Sequence, residues 1–168
     1  MFNKKGSLFN KARGFTLIEI LVVIGIIAIL AAIVIIAINP AKQFAQARNT
    51  QRQAGINAIL NAVGQRLADN KGIFAGTFNS SAYTCGLLPT TASTSITSSM
   101  ALNTTAESGA LGCLVPTYIS SLPVDPTNPT SPSTGYEIKV DVNGRVMICA
   151  PLAAEAAIPD SSAICVTR

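Results

Sequence analysis

The chain has 168 residues, of which 49% are hydrophobic and only 12% are charged, about half the charged fraction of an ordinary soluble domain. It contains no His, which excludes catalysis by a His acid or base and metal sites with His ligands. The formal net charge of +4 suggests an anionic partner such as a nucleic acid, so the positions of the charges matter.

Residues 1–14 form a short basic head. Four of the twelve basic side chains lie there, with no acidic residue: Lys4, Lys5, Lys11 and Arg13. The eight remaining basic side chains are scattered and balance the eight acidic ones, so the chain after residue 14 is formally neutral. No basic face with interleaved aromatic residues follows, and general nucleic-acid binding is therefore not predicted.

Residues 15–38 form the apolar segment, in which 21 of 24 residues are hydrophobic. The uninterrupted run from Ile20 to Ile38 would span about 29 Å as a helix, the thickness of a bilayer's hydrocarbon core. The basic head predicts a cytoplasmic amino terminus and places the residues after 38 across the membrane. A secretory signal peptide fits less well, because its apolar core is shorter and no A-x-A site follows. A plain single-pass anchor stays open.

One carboxylate, Glu19, lies inside this apolar segment, where a charge costs several kcal/mol unless it has a partner. A plain anchor has no use for it. The run Arg13-Gly14-Phe15-Thr16-Leu17-Ile18-Glu19, followed by the apolar tract, resembles the prepilin signal of type IV pilins and pseudopilins. The resemblance covers the leader, the cleavage site and the whole first helix.

The resemblance implies processing at Gly14 and Phe15. A membrane-embedded prepilin peptidase would cut between these two residues on the cytoplasmic side, and the new amino terminus at Phe15 would be N-methylated. In the filament, Glu19 would pair with the Phe15 amine of a neighbouring subunit, which relieves two unpaired charges in a low-dielectric core. Pairing with the amine of its own Phe15 is compatible with the same residues.

The resemblance also implies partners and a location. The partners are further copies of the chain, the prepilin peptidase, the membrane, an inner-membrane platform protein and a cytoplasmic assembly ATPase, with no cofactor. The precursor would be a single-pass protein of the inner membrane with a cytoplasmic amino terminus. The mature subunit would lie in a filament at the cell surface or in the periplasm.

Residues 39–72 continue the helix after an interruption at Asn39-Pro40, where proline removes a backbone hydrogen bond. One apolar stripe is predicted to face the core of a small sheet: Ile56, Ile59, Leu60, Val63 and Leu67. Arg52 and Arg66 are placed on the opposite, polar side. Gly72 is a normal place for the helix to stop. A face for a partner helix is the alternative to the core face.

Residues 73–135 are predicted to be a Ser/Thr- and Pro-rich loop region, with fifteen Ser or Thr among residues 77–108. Two tripeptides match N-x-[ST], Asn79–Ser81 and Asn103–Thr105, but neither predicts glycosylation. Prolines at 123, 126, 129 and 132 favour an extended connector. Some pseudopilins hold calcium near such a segment, but Asp125 and Asn128 alone do not predict a metal site.

Residues 136–168 are predicted to form the antiparallel sheet of a globular head. Tyr136, Ile138, Val140 and Val142 alternate along the first strand, Asn143-Gly144 is a hairpin turn signal, and residues 145–150 and 163–168 are the next two strands. Laid on the amphipathic helix, these strands make a small α+β, pilin-like fold.

The four cysteines, Cys85, Cys113, Cys149 and Cys165, all lie on the predicted non-cytoplasmic side, where an even count favours two disulfides. Of the three connectivities, we favour Cys85–Cys113, which closes the Ser/Thr-rich loop, and Cys149–Cys165, which ties the second strand to the third. Free buried thiols are the alternative.

The function predicted is therefore structural, with no catalytic residue: a prepilin that polymerises through its amino-terminal helix into a type IV pilus or related filament. A pseudopilin of a type II secretion system is the alternative within the family, favoured by residues 122–126. A competence filament that contacts DNA has no support from the neutral mature chain. A membrane-tethered enzyme is the alternative of another class, but no nucleophile–base pair, phosphate loop or carboxylate pair is apparent.

Overall fold

The computed structural model describes residues 14–78, 82–128 and 132–168. It divides the chain into two compact units, Met1–Pro40 and Ala41–Arg168; the second is called the head below. The predicted leader up to residue 13, the tripeptide Asn79–Ser81 and Pro129 lie outside the described residues.

Helix α1, Leu17–Ala37, is the main element of the first unit. Its sequence is apolar apart from Glu19, and no side chain in the stretch Leu17–Ile36 is buried. By length and composition it is a candidate membrane span.

Helix α2, Pro40–Asp69, begins after a short break in the helical backbone. Ile38 has extended dihedral angles (φ −98°, ψ 111°), and proline suits the first position of the new helix because its missing N–H would be unpaired there anyway. At the other end, Gly72 has a φ of +87° and donates its N–H to the Leu67 carbonyl at 2.7 Å. This is the glycine helix stop that the sequence indicates.

The apolar stripe of α2 faces the core. Leu67 is partly buried. The other four members of the stripe are at most 2% exposed: Ile56, Ile59, Leu60 and Val63. The polar side was predicted wrongly, because Arg52 and Arg66 are also buried, at 0% and 4% exposed. Arginine can bury its long stem where its guanidinium finds partners. The Arg66 Nε donates to the Phe74 carbonyl at 3.4 Å, and its guanidinium lies 5.8 Å from the centroid of the Phe78 ring.

The head contains a four-stranded antiparallel sheet whose strands lie side by side in chain order. Its strands are β3 (Thr94–Thr97), β4 (Ser133–Val140), β5 (Val146–Ala150) and β6 (Ile164–Thr167). The last three correspond to the predicted strands. Strand β3 lies in the segment predicted to be loop, and so does a separate hairpin of β1 (Gly76–Phe78) and β2 (Tyr83–Cys85). The Ser/Thr-rich region is therefore partly built into sheets.

The turn between β4 and β5 differs from the prediction at Val142. The strand ends at Val140, and Val142 is fully exposed at the tip instead of continuing the buried face. The side chain of Asp141 accepts the N–H groups of Asn143 at 2.8 Å and Arg145 at 2.9 Å, and Gly144 adopts a φ of +78°. These side-chain bonds hold a wider turn than the two-residue turn that Asn-Gly alone suggests.

The core forms where α2 packs on the sheet. Ile138 of β4 and Ile148 of β5 are fully buried against the stripe of α2, and the short 3₁₀ helix Gly112–Leu114 adds Leu114. The predicted α+β, pilin-like class is confirmed.

Two disulfides support this small core. They join Cys85 to Cys113 across 28 residues and Cys149 to Cys165 across 16, the two pairs that the sequence favours. Cys149 and Cys165 are directly opposite each other on β5 and β6, with their Cα atoms 4.1 Å apart. Loops of these lengths correspond to about 3–4 kcal/mol of stabilisation each through the entropy of the unfolded chain.

Tryptic mapping without reduction tests this pairing. The positions of Lys and Arg place Cys85 and Cys113 in one tryptic peptide, 72–139, and Cys149 and Cys165 in another, 146–168. We expect two separate peptides, each lacking two hydrogen atoms until it is reduced. Either other connectivity would link the two peptides covalently, and that result would contradict the structure.

Core packing predicts opposite effects for two glycines of α2. A Cβ on Gly55 would lie 2.6 Å from the Tyr136 hydroxyl, so Gly55→Ala should destabilise the fragment 41–168 by about 1–3 kcal/mol. A Cβ on Gly64 meets nothing within 4 Å, so Gly64→Ala should stabilise it by about 1 kcal/mol through helix propensity. Urea denaturation measures both. A Gly55→Ala fragment as stable as the wild type would show that the core accommodates the methyl group.

Candidate processing and assembly site

The amino-terminal end of α1 is built by Thr16. This residue has extended dihedral angles (φ −79°, ψ 150°) and is the N-cap. Its side-chain oxygen accepts the Glu19 N–H at 3.3 Å, and its carbonyl accepts the N–H groups of Glu19 at 3.1 Å and Ile20 at 3.3 Å. Thr16 therefore satisfies donors that the first turn of a helix otherwise leaves unpaired.

Glu19 is the third residue of α1 and is exposed. Thr16 and Glu19 together make the T-x-x-E spacing of a capping box. Within the described part of the chain, no side chain forms an ion pair with the Glu19 carboxylate. A negative charge in the first turn interacts favourably with the helix dipole, by about 0.3–1 kcal/mol, which is small beside the cost of placing it among lipid chains.

The cap at Thr16 is a feature of this site that the predicted set of Gly14, Phe15 and Glu19 leaves out. The signal for it is present in the sequence, because Thr followed three residues later by Glu at the start of an apolar run is an N-terminus pattern. Glu19 is unusual as a charge in an apolar segment, and its position three residues after Thr16 also indicates where the helix begins.

Gly14 and Phe15 precede the cap and lie outside the helix. A Cβ on Gly14 would meet no atom of the described residues within 4 Å, and Gly14 does not have a positive φ. The described part of the fold therefore gives no steric reason for glycine at this position. The Phe15 side chain is 76% exposed. Both residues of the predicted scissile bond are accessible.

The rest of α1 presents apolar side chains to its surroundings. The large hydrophobic residues from Leu17 to Ile38 are all at least 47% exposed. Soluble monomers rarely expose an apolar surface of this extent, which indicates contact with lipid or protein.

A second group of functional interest is the ion-pair cluster of the head, made of Arg48, Arg52, Asp125 and Glu155. Arg52 and Asp125 have fully buried side chains, and the Arg52 Nε donates to an Asp125 oxygen at 2.7 Å. The other Asp125 oxygen accepts from Arg52 Nη2 at 3.1 Å and from the Thr127 N–H at 2.8 Å. Asp125 is therefore fully occupied by the protein's own donors.

This pairing bears on the calcium site that occurs in some pseudopilins. In this structure the guanidinium of Arg52 neutralises Asp125 and takes the place of a cation beside its carboxylate. Among the described residues, no group of three or more Cys, Asp or Glu is arranged to hold a metal ion.

Glu155, which lies in the segment after β5, is the fourth member of the cluster. It pairs with both Arg48 and Arg52, and the Arg48 Nε donates to Glu155 Oε1 at 2.8 Å. The hydrogen bonds from Arg48 and Arg52 lower the pKa of Glu155 from 4.5 to about 2. Burial alone would raise the pKa of Asp125, but the bonds from Arg52 and Thr127 outweigh it and hold that pKa below its ordinary value. The cluster joins α2 to two distant segments of the head.

Comparison with known proteins finds a family model that matches the amino-terminal region. Residues 9–37 match the family model of the prokaryotic N-terminal methylation motif. The match spans Gly14, Phe15, Thr16 and Glu19, so the chain has the leader signature of type IV pilins and pseudopilins, and the resemblance seen in the sequence is confirmed. No curated protein and no solved structure matches the chain.

The ion-pair cluster predicts loss of stability in acid. Both carboxylates have lower pKa values in the folded state, so their contribution is present above their ordinary pKa values of 3.8 and 4.5 and is lost as the pH falls toward 2. Glu155→Gln should flatten this dependence in the fragment 41–168. The measurement is the free energy of unfolding at several pH values between 2 and 7. Parallel profiles for wild type and variant would contradict the role of Glu155.

Proposed function

We propose that the chain is the precursor of a structural filament subunit, cut between Gly14 and Phe15, methylated at Phe15 and polymerised through α1 into a type IV pilus or related filament. The observation that carries this proposal is the coincidence of the methylation motif at residues 9–37 with a membrane-length helix whose apolar side chains are uncovered. The leader signature makes the protein pilin-like or pseudopilin-like; cleavage and polymerisation are the proposed steps.

The exposed apolar surface of α1 favours both its insertion in a membrane and its packing in a filament. In the membrane, lipid chains cover the side chains from Leu17 to Ile36. In a filament, the helices of neighbouring subunits replace the lipid, and close packing provides the attraction. The prepilin peptidase, an inner-membrane platform protein and an assembly ATPase are the partners that such a transfer requires. The precursor would lie in the inner membrane, and the filament outside it.

Glu19 gains its partner only after processing. Cleavage creates an amine at Phe15, directly before the cap residue, and this cation lies at the positive end of the helix dipole. The Glu19 carboxylate, in the first turn, is placed to neutralise such an amine on a neighbouring subunit. A pair of this kind is costly to break in an apolar core, because each charge would be left alone.

Two observations bear on the kind of filament. Residues 122–126, which resemble the corresponding segment of major pseudopilins, are held against α2 through Asp125 and the buried Leu122. The Ser/Thr-rich region, which would suit an exposed pilus, is partly ordered into strands. A pseudopilus of a type II secretion system is therefore the second candidate.

Mass spectrometry of the processed protein tests the proposal. Co-expression of the full chain with a prepilin peptidase should yield a product that begins at Phe15 and bears one added methyl group on its amine. A chain that keeps residues 1–14, or is cut elsewhere, would overturn the proposed processing.

Substitution of Glu19 tests assembly separately from processing. Glu19→Ala and Glu19→Val should be cleaved nearly as well as the wild type but should be lost from filaments, because the Phe15 amine would be buried unpaired. The measurement compares cleaved subunit in the membrane with subunit in the sheared filament fraction. Glu19→Gln, which keeps the size without the charge, is the matched control and should also fail. Normal filaments from Glu19→Ala would disprove the pairing.

A further inference from the structure

We propose that Thr16 is a positioning residue for leader removal: its hydroxyl fixes the start of α1 beyond the scissile bond and so keeps the Gly14–Phe15 peptide extended for the peptidase. This inference rests on the proposed function, since it concerns the same cleavage. It differs from recognition of a leader sequence, because it assigns the effect to where the helix begins.

Two residues compete to be the N-cap of α1. Glycine is about as good an N-cap as threonine, so Gly14 is the next available helix start on the amino-terminal side of Thr16. If the helix began there, Phe15 would become its first residue and the Gly14–Phe15 peptide would enter the first turn. No proline or charged residue lies between the two positions to prevent this extension.

The structure shows which cap is used and why. Thr16 has extended dihedral angles, its hydroxyl accepts the Glu19 N–H, and the first helical residue is Leu17. Glu19 stands at the third position of the helix, the place of the acidic member of a capping box. A helix begun at Gly14 would lose the Thr16 hydroxyl as a side-chain cap, because glycine has no side chain to replace it.

The state of the scissile peptide affects its cleavage. A peptidase acts on the fraction of substrate in the accessible conformation, so a competing helical conformation lowers the apparent rate in proportion. Removal of a Ser, Thr, Asn or Asp cap typically costs about 1 kcal/mol, which changes the ratio of two helix starts about fivefold. The open surroundings of Gly14 agree with this role, because a Cβ on Gly14 would meet no atom of the described residues within 4 Å.

Three variants of the full-length precursor test the inference. Thr16→Val keeps the shape and removes the acceptor, while Thr16→Ser and Thr16→Asn keep a capping oxygen on different side chains. In detergent micelles with purified prepilin peptidase, kcat/KM for Thr16→Val should fall about two- to fivefold. Serine and asparagine should restore it. The ¹³Cα chemical shifts of residues 14–16 should become more helical in the valine variant alone.

The outcomes separate this inference from the function on which it rests. A wild-type chain that is not cut after Gly14 overturns the proposed function and the inference with it. A wild-type chain that is cut, beside an equally fast Thr16→Val, overturns the inference alone. A Thr16→Asn variant as slow as Thr16→Val also overturns it, since the peptidase would then contact the threonine itself.

Discussion

The constraint on which this protein depends is the uncovered apolar surface of α1. Each square ångström of apolar surface removed from water stabilises by about 25 cal/mol, and the large side chains between Leu17 and Ile38 are about half exposed or more. Such a helix requires lipid or other helices around it at every stage. The head is a separate compact unit that contains its own core and both disulfides. The two parts of the chain are therefore stabilised differently: α1 by lipid or other helices around it, and the head by its own core.

The ion-pair cluster shows how the head deals with charge. Arg48, Arg52 and Arg66 are the only charged residues between Gln43 and Ala68, and all three have partners within the head. Apart from Arg48, whose side chain is 34% exposed, the exposed side of that stretch of α2 consequently presents uncharged side chains. The basic character of the whole sequence comes from the first fourteen residues. A net charge of +4 thus describes the proposed leader and not the surface of the mature subunit.

Local patterns made the main elements of the fold predictable. The stripe of α2 follows helical spacing, and the strands β4 and β5 flank an Asn-Gly turn, so each could be recognised from neighbouring residues. Strand β3 could not, because a run of Thr and Ser with one apolar member, Ile96, acquires its strand structure from pairing with β4. Arg52 was misplaced for a similar reason. Its partners Asp125 and Glu155 are 73 and 103 residues away in the sequence, and an isolated helix pattern treats arginine as solvent-exposed. At the candidate site the motif named Gly14, Phe15 and Glu19. The Thr16–Glu19 spacing also indicates the cap, and the structure shows that Thr16 is the residue used.

The capping geometry and the proposed pairing give Glu19 two successive roles. In the precursor, its backbone N–H binds Thr16 and its charge faces the helix dipole, which only partly offsets the cost of a carboxylate near lipid. Leader removal would place an amine beside the cap, so a full counter-charge for Glu19 would exist only on processed subunits. An unprocessed neighbour would offer an amide in place of that amine, and the Glu19 of an adjoining subunit would be buried unpaired. Under the proposed function, the same carboxylate would therefore favour assembly of mature subunits over precursors through contacts at the first turn of α1.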